Sequence, residues 1–386
     1  MGFLPDLEST AQALLFLTDS GMLTDYNDKY RYALPSSMAE SILNYAKNSQ
    51  DPTNGYFYHE QWGDSVSTAR LGRDLGWATR IISGFGSVPY WNTPNGVRGE
   101  YGAPGSAPLS ARSAEMAAAP VLFASSKPKY LTSVELFIKH LENDFDWDND
   151  SYAAGNEIES ELGQIQAAGK DFTDALIEFL NSKQKSNGLW ENTVSYDSIN
   201  GLMKISGVYT SLRQVIPNAD KAMDSAIVML KSDTTATHVC SVYNPWEAVA
   251  NILISIEKIS GKDEADKLRA QFRNDAADLI KITAEKLAVF KKNDGGFSYF
   301  IRFSAATSQG ASVAVNNSVE SDVNATMICT NSIITSMFDV FGLERVDRYY
   351  AIDYASFYDT LYDLGTIIKD EMPKTGPIIF DDYDAE

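Results

Sequence analysis

The residues of this chain that could do chemistry are three histidines, the tyrosines and tryptophans near them, and carboxylates at the ends of helical segments. His59 lies in GYFYHEQWG and His238 in THVCSVYNPWEA, each between two expected helices; His140, in ELFIKHLEND, reads as a helix-surface residue. Removal of a proton α to a carboxylate needs a base such as Tyr or His, with Asn, Arg or imidazolium neutralising the carboxylate. His238, Tyr243 and Asn244 from one loop, with Tyr58, His59 and Arg70 from the other, supply that set, and β-elimination is the first expectation. Hydrolysis of an acetal needs two carboxyl groups instead, one kept protonated. Glu191, Asp197, Glu320 and Asp322 are the carboxylates expected beside helix joints, and they are the basis of the alternative reading.

The stretch STARLGRDLGWATR carries two helical stripes. Leu71, Leu75, Ala78 and Ile82 form a buried one, while Arg70, Arg73, Asp74 and Trp77 recur at i, i+3, i+4 and i+7. The second stripe reads either as a solvated face with an Arg70–Asp74 pair or as an inner face presenting Arg and Trp to a cavity. Aromatic residues recur beside polar ones elsewhere, and sugar rings stack on such side chains while their hydroxyls take Asn, Glu, Asp and Arg. Arg73, Trp77, Trp62, Trp246, Glu191 and Tyr299 are therefore the expected substrate-binding residues. The ligand expected on them is an oligo- or polysaccharide.

These residues need elements to hold them. Apolar spacing predicts helices near 5–19, 36–49, 64–83, 130–145, 156–183, 194–215, 218–232, 244–260, 262–291, 320–341 and 354–371, with few strands. The segments 86–128 and 301–319 read as long irregular loops of the kind that act as lids or binding loops. In FLNSKQKSNGLWEN a helix ends, Gln184 is placed to bond open backbone groups, Gly188 supplies a left-handed stop, and Trp190 covers the joint. The pattern recurs with Gln50, Gly55 and Phe57, and again with Lys291, Gly295 and Phe297. Repeated helix–corner–helix units are the signature of stacked helical hairpins.

The Gln184, Gly188, Trp190 corner resembles the QW motif of terpenoid cyclases and prenyltransferase-like toroids, a fold related to the toroid domains of polysaccharide lyases and glycoside hydrolases. The resemblance implies an all-α fold, an α/α toroid built from helical hairpins, as a single domain over residues 1–373 with an acidic flexible tail at 374–386. It does not imply a reaction. Asp144-Phe145-Asp146-Trp147 breaks the protonating motif of one cyclase class, and Asp381-Asp382-Tyr383-Asp384 fails the diphosphate-binding spacing of the other. A protein prenyltransferase would need a zinc ligand set, and none is evident. Among toroids the β-elimination set resembles that of polysaccharide lyases. The leading expectation is thus a lyase acting on a uronate-containing glycan, with an inverting glycoside hydrolase and a non-catalytic glycan- or protein-binding toroid as alternatives.

DWDNDSYAAGNE resembles an EF-hand loop. Asp146, Asp148, Asp150 and Glu157 fall at positions 1, 3, 5 and 12, and Tyr152 at the carbonyl position, which implies a structural Ca²⁺; Ser151 stands where that loop carries Gly. No other cofactor is expected.

A net charge of −20 over 386 residues argues against nucleic acid, whose phosphates need clustered Lys and Arg, and against anionic membrane surfaces. It also pulls against a polyanionic substrate. No apolar run is long enough to span a bilayer. Cys240 and Cys329 can form one disulfide or remain two thiols. MGFLPDLEST does not read as a leader, yet few Lys and many Tyr, Asn, Ser and Thr suit a secreted or cell-surface bacterial protein.

Overall fold

Leu7, Ala11 and Leu14 repeat at helical spacing, and Asp6 precedes them as a cap. The chain accordingly forms α1 (Leu7–Asp19), with the Asp6 carboxylate accepting from the Ser9 N–H at 3.0 Å. The computed structural model describes residues 2–21, 23, 29–105 and 128–346, with six further residues between 356 and 363. The expected helix at 354–371 falls mainly, and the tail at 374–386 wholly, outside the described residues.

The remaining helices are α2 (Tyr30–Ala33), α3 (Ser36–Asn48), α4 (Thr68–Gly84), α5 (Val134–Asn143), α6 (Ser151–Ala168), α7 (Lys170–Lys183), α8 (Tyr196–Ser211), α9 (Ala219–Lys231), α10 (Val239–Ser260), α11 (Lys262–Asn274), α12 (Ala276–Ala288), α13 (Val323–Met327) and α14 (Ile333–Phe341). A 3₁₀ turn, Lys129–Thr132, precedes α5, and a π turn, Ile328–Ser332, joins α13 to α14. The described strands are a two-residue hairpin, β1 (Thr307–Ser308) and β2 (Ala311–Ser312), so the class is all-α.

Several expected boundaries move. The span 156–183 is two helices broken at Gly169, whose φ of 121° no side-chain-bearing residue adopts easily. The span 262–291 breaks at Asp275. Helix α10 starts at Val239 rather than Asn244, with Pro245 inside it, so Tyr243 and Asn244 are helical and not loop residues.

The packing order is regular. Helix α1 lies against α4, α4 against α6, α6 against α8, α8 against α10, and α10 against α14; α13 and the π turn then return to α1. The connections preceding α4, α6, α8, α10 and α13 each arrive from a helix outside this order: α3, α5, α7, α9 and α12.

Gly55, Gly188 and Gly295 all sit in these connections, with φ of 80°, 78° and 96°. Each lets the chain turn back on the helix it has just left: Asp51 N–H donates to Tyr56 O, Lys185 N–H to Leu189 O, and Lys292 N–H to Gly296 O. Gln50 and Gln184 play the same part, each donating its Nε2 to the carbonyl of its corner glycine, at 3.1 and 2.9 Å. The indole of Trp190 donates back to Leu180 O at 2.9 Å. The connection before α6 repeats that bond, unannounced by any glycine, with Trp147 donating to Leu141 O at 2.6 Å.

Two apolar cores result. One draws on residues 7–85, the larger on residues 131–341. Cys240 and Cys329 are free thiols.

Candidate functional site

Helices that meet only along their flanks leave space between their inward faces. Here α1, α4, α6, α8, α10 and the α13–π segment, with the 299–314 segment, line a cavity of about 760 Å³. That is within the range of roughly 300–1,000 Å³ usual for small-ligand sites. Its polar wall is written in helical periods: Arg73, Trp77 and Arg80 on α4; Lys204 and Thr210 on α8; Cys240, Tyr243, Glu247 and Asn251 on α10. Gly207 keeps the α8 wall low. A Cβ there would sit 3.4 Å from Glu159 Oε1 and 3.8 Å from Asn251 Nδ2.

The 299–314 segment lines the cavity and is tied to the start of α4 and the first turns of α6. Its hairpin is fastened from three helices: the Ser308 hydroxyl to Glu8, the Asn156 amide to Gln309 Oε1 at 2.7 Å, and the Ser67 hydroxyl to Gln309 O at 3.3 Å. Behind it lies Arg70, fully buried. Its guanidinium donates to Asp74 (3.0 Å), Glu8 (3.0 Å), Asp6 (3.1 Å) and Ser308 O (3.3 Å), and it lies over the Trp62 ring. Arg73 takes the other oxygen of Glu8 at 2.7 Å. Burial acts against the Glu8 charge, but Arg73 and Arg70 outweigh it and hold the carboxyl below its ordinary value. Asp74 shares the same guanidinium with two other acids, and burial pushes it up to about 6.

Deeper in the cavity the balance reverses. Burial raises the pKa of Glu247, whose neighbours are hydroxyls: Ser336 Oγ at 2.6 Å and Tyr243. The Ser336 hydroxyl also lies 2.9 Å from Ser332 O. One hydrogen cannot serve both acceptors, and a protonated Glu247 resolves the conflict by donating to Ser336 Oγ. Glu159, on the adjoining wall, is an ion-pair partner of Lys204 at 2.5 Å. The tyrosines are all pushed upward: Tyr152 to about 12 by burial, Tyr243 further by burial and Glu247, and Tyr299 by Cys240 and burial. Asp322 also lines the cavity; its carboxylate accepts from the N–H groups of Ala325 and Tyr299, both at 2.7 Å, and burial raises its pKa.

The residues singled out in the sequence divide accordingly. Arg73, Trp77, Tyr243, Asn244, Tyr299 and Asp322 line the cavity. Arg70 lies outside the lining and supports it through Glu8 and Ser308 O. His59 does not line it: Nε2 lies 3.0 Å from Pro5 O, Nδ1 accepts from Gln61 N–H, and the ring stacks on Trp62. Tyr58 is buried and accepts from Asn54. His238 caps the start of α10, stacks on Tyr299, and has its pKa lowered by burial; it too lies outside the lining. Trp246 is core, its indole donating to Thr283 at 3.0 Å. Glu191 accepts from Ser151 N–H (2.9 Å) and Ser151 Oγ (2.6 Å) at the start of α6. Asp197 and Glu320 are exposed. The two histidines are thus not brought together, and neither are the four carboxylates of the alternative reading.

The acidic loop has separate partners for each of its carboxylates. Asp146 accepts from Asn149, Asp148 pairs with Lys185 at 2.7 Å, Asp150 caps α6 through Ala153 N–H, and Glu157 faces His140 at 3.2 Å. Helix α6 already begins at Ser151, so Tyr152 and Glu157 belong to helical turns rather than to a loop. Among the described residues no group of three or more His, Cys, Asp or Glu is arranged to hold a metal ion, and no helix is long and apolar enough to cross a membrane.

Glu247, Glu159 and Lys204 are the residues that sequence reasoning missed. Their signal was present. Helix α10 is mostly apolar between Val242 and Ile256, and within it Tyr243, Glu247 and Asn251 recur in step with Cys240 along one stripe, which marks the face that borders a polar space. Compared with protein-family models, with curated proteins and with solved structures, the chain matches none of them.

Proposed function

We propose that the cavity-lining helices are the inner ring of an α/α toroid, and that the protein hydrolyses glycosidic bonds in its central cavity. The observation that carries the reading is Glu247, a cavity-lining carboxyl whose pKa is pushed up by burial and which is bonded by the Ser336 and Tyr243 hydroxyls, in the same cavity as Glu159, which is ion-paired with Lys204. One carboxyl held neutral and one held charged are what acetal hydrolysis requires. Glu247 donates its proton to the glycosidic oxygen as the bond to the anomeric carbon breaks. Glu159, ion-paired with Lys204, takes a proton from the water that attacks the other face of that carbon. Trp77, Tyr152 and Phe300 offer ring faces to the sugars.

The elimination chemistry expected from the sequence is less well supported. Neither histidine lines the cavity, and its tyrosines hold their protons more tightly than free tyrosine does, which is the wrong direction for a base.

The test is incubation with a panel of neutral and acidic polysaccharides, reading both new reducing ends and the absorbance of unsaturated products. Reducing ends without unsaturation are expected, and Glu247→Gln should lower the rate by roughly 10²–10⁴-fold. Unsaturated products, or full activity in the variant, would overturn the reading.

A further inference from the structure

Gly76 sits in the interior of α4, where glycine is less stable than alanine, so it needs a reason. Gly72, one turn earlier, has one: a Cβ there would meet Ser160 O at 2.6 Å, so that glycine lets α4 and α6 pack closely. Gly76 has no such contact. A Cβ on it would find no heavy atom within 4 Å, its backbone is helical, and it is exposed on the cavity wall. What it leaves is an open notch beside Trp77 and Arg80. Arg80 stands one turn further along the same face, its guanidinium 5.9 Å from the centre of the Trp77 ring. Trp77 is part-exposed and Arg80 exposed, so a ligand in the cavity can reach both.

Charge identifies what the notch would hold. Among the described residues three cations line the cavity. Arg73 is paired with Glu8 and Lys204 with Glu159, whereas the Arg80 side chain has neither an ion pair nor a hydrogen bond among those residues. The lining carboxylates are engaged elsewhere: Glu8 by two arginines, Glu159 by Lys204, Asp322 by backbone N–H groups and Glu247 by hydroxyls. We infer that Gly76, Trp77 and Arg80 form a subsite for a single uronate residue of the glycan, its ring seated in the notch against Trp77 and its carboxylate held by the Arg80 fork. A guanidinium pairs with a carboxylate through two parallel N–H bonds, and lying over an indole leaves those groups free at its edge. One free cation among four lining carboxylates admits one negative charge; a run of uronates would set further charges against Glu8, Glu159 and Asp322. The inference rests on the hydrolase reading, and it narrows the substrate to a largely neutral glycan carrying isolated uronate residues, in accord with a net charge of −20.

The experiment separates binding from turnover. Affinities are measured by titration calorimetry with matched oligosaccharides. Aldotetraouronic acid (xylotriose bearing one glucuronate) is set against xylotetraose, and cellobiouronate against cellobiose, with tetragalacturonate and neocarratetraose monosulfate as further arms. At least one singly charged uronate is expected to bind about ten-fold or more tightly than its neutral counterpart. Arg80→Gln should weaken that binding about 10–100-fold, the worth of a charge-assisted bond, and leave the neutral counterpart within about two-fold. Gly76→Leu, which fills the notch, should weaken it about ten-fold or more without lowering the melting temperature, since leucine favours the helix. If melting curves show Gly76→Leu to be unfolded, Arg80→Gln, at an exposed position, decides alone. The inference is overturned if no uronate binds more tightly than its neutral counterpart, if tetragalacturonate or the sulfated sugar alone binds, or if a folded variant binds the uronate as the wild type does. If binding behaves as expected while Glu247→Gln retains full turnover, the subsite stands and the hydrolase assignment falls; the reverse pair of results keeps the hydrolase and removes the subsite.

Discussion

Glu8, which lies between Arg70 and Arg73, and the glutamates bonded by hydroxyls have opposite characters. Asp6, Glu8 and Asp74 converge on one guanidinium, with Arg73 behind it, and join α1, α4 and the 299–314 segment. Glu247 has Ser336 and Tyr243, and Glu161 has the Tyr130 hydroxyl. Both are pushed upward by burial, Glu161 to about 7, whereas Glu8 is held down. The residue type is the same in each place. Two guanidiniums hold Glu8 down, whereas Asp74, which shares Arg70 with two other acids, is raised to about 6 despite its cation, so the number of cations per buried acid matters as much as their presence.

Removing the cation is the harshest way to break the comparison. Arg70→Met leaves three buried carboxyls facing one another and should cost about 3–5 kcal/mol of stability by denaturant titration. A loss below 1 kcal/mol would mean that the cluster is not the fastening described here.

A second test uses pH. Glu161 has a folded pKa above its unfolded value of 4.5, so its contribution to stability is fully present below that value and is lost as pH rises through about 7. Glu8 acts in the opposite sense, stabilising at higher pH and losing that contribution on acidification. Between pH 5 and 8 the Glu161 contribution amounts to roughly 2–3 kcal/mol. Glu161→Gln should therefore lose less stability than the wild type over that interval, read from melting curves at the two ends. An unchanged slope would refute the assignment.

The smallest expected effect is the most discriminating. Glu247 is bonded by hydroxyls with no cation beside it, and Gln is close in shape to a carboxyl group. Glu247→Gln should thus shift stability by less than about 1 kcal/mol even as it lowers the rate proposed above. A large loss of stability would place Glu247 with the structural acids.

Much of the fold was legible. Helix positions, the all-α class and the glycine corners followed from apolar spacing and from turns that only a left-handed residue completes. The corner before α6 escaped notice because Trp147 makes the same indole bond as Trp190 without a glycine to mark it. The site was less legible, and the reason lies at Pro245. A proline after Asn reads as a helix start, which consigned Cys240, Tyr243 and Asn244 to a loop and hid their register with Glu247 and Asn251. Histidines drew attention by their chemistry, yet His59 is occupied by the Pro5 carbonyl, a partner more than fifty residues away that no local pattern announces.

The return of α13 and the π turn to α1 also governs when the molecule can be completed. Asn331 Nδ2 donates to Phe16 O across 315 residues, and Ser308 reaches Glu8 across 300. Helix α1 is made before the other described helices, whereas the α13 and π-turn surface it packs on is among the last described parts to be made. It must therefore wait while the intervening helices are made, with its apolar stripe of Leu7, Ala11 and Leu14 packed only against the N-terminal core of residues 7–85. Contacts this distant in sequence make closure late and slow, and they make the interval before it the time when a chaperone has most to cover.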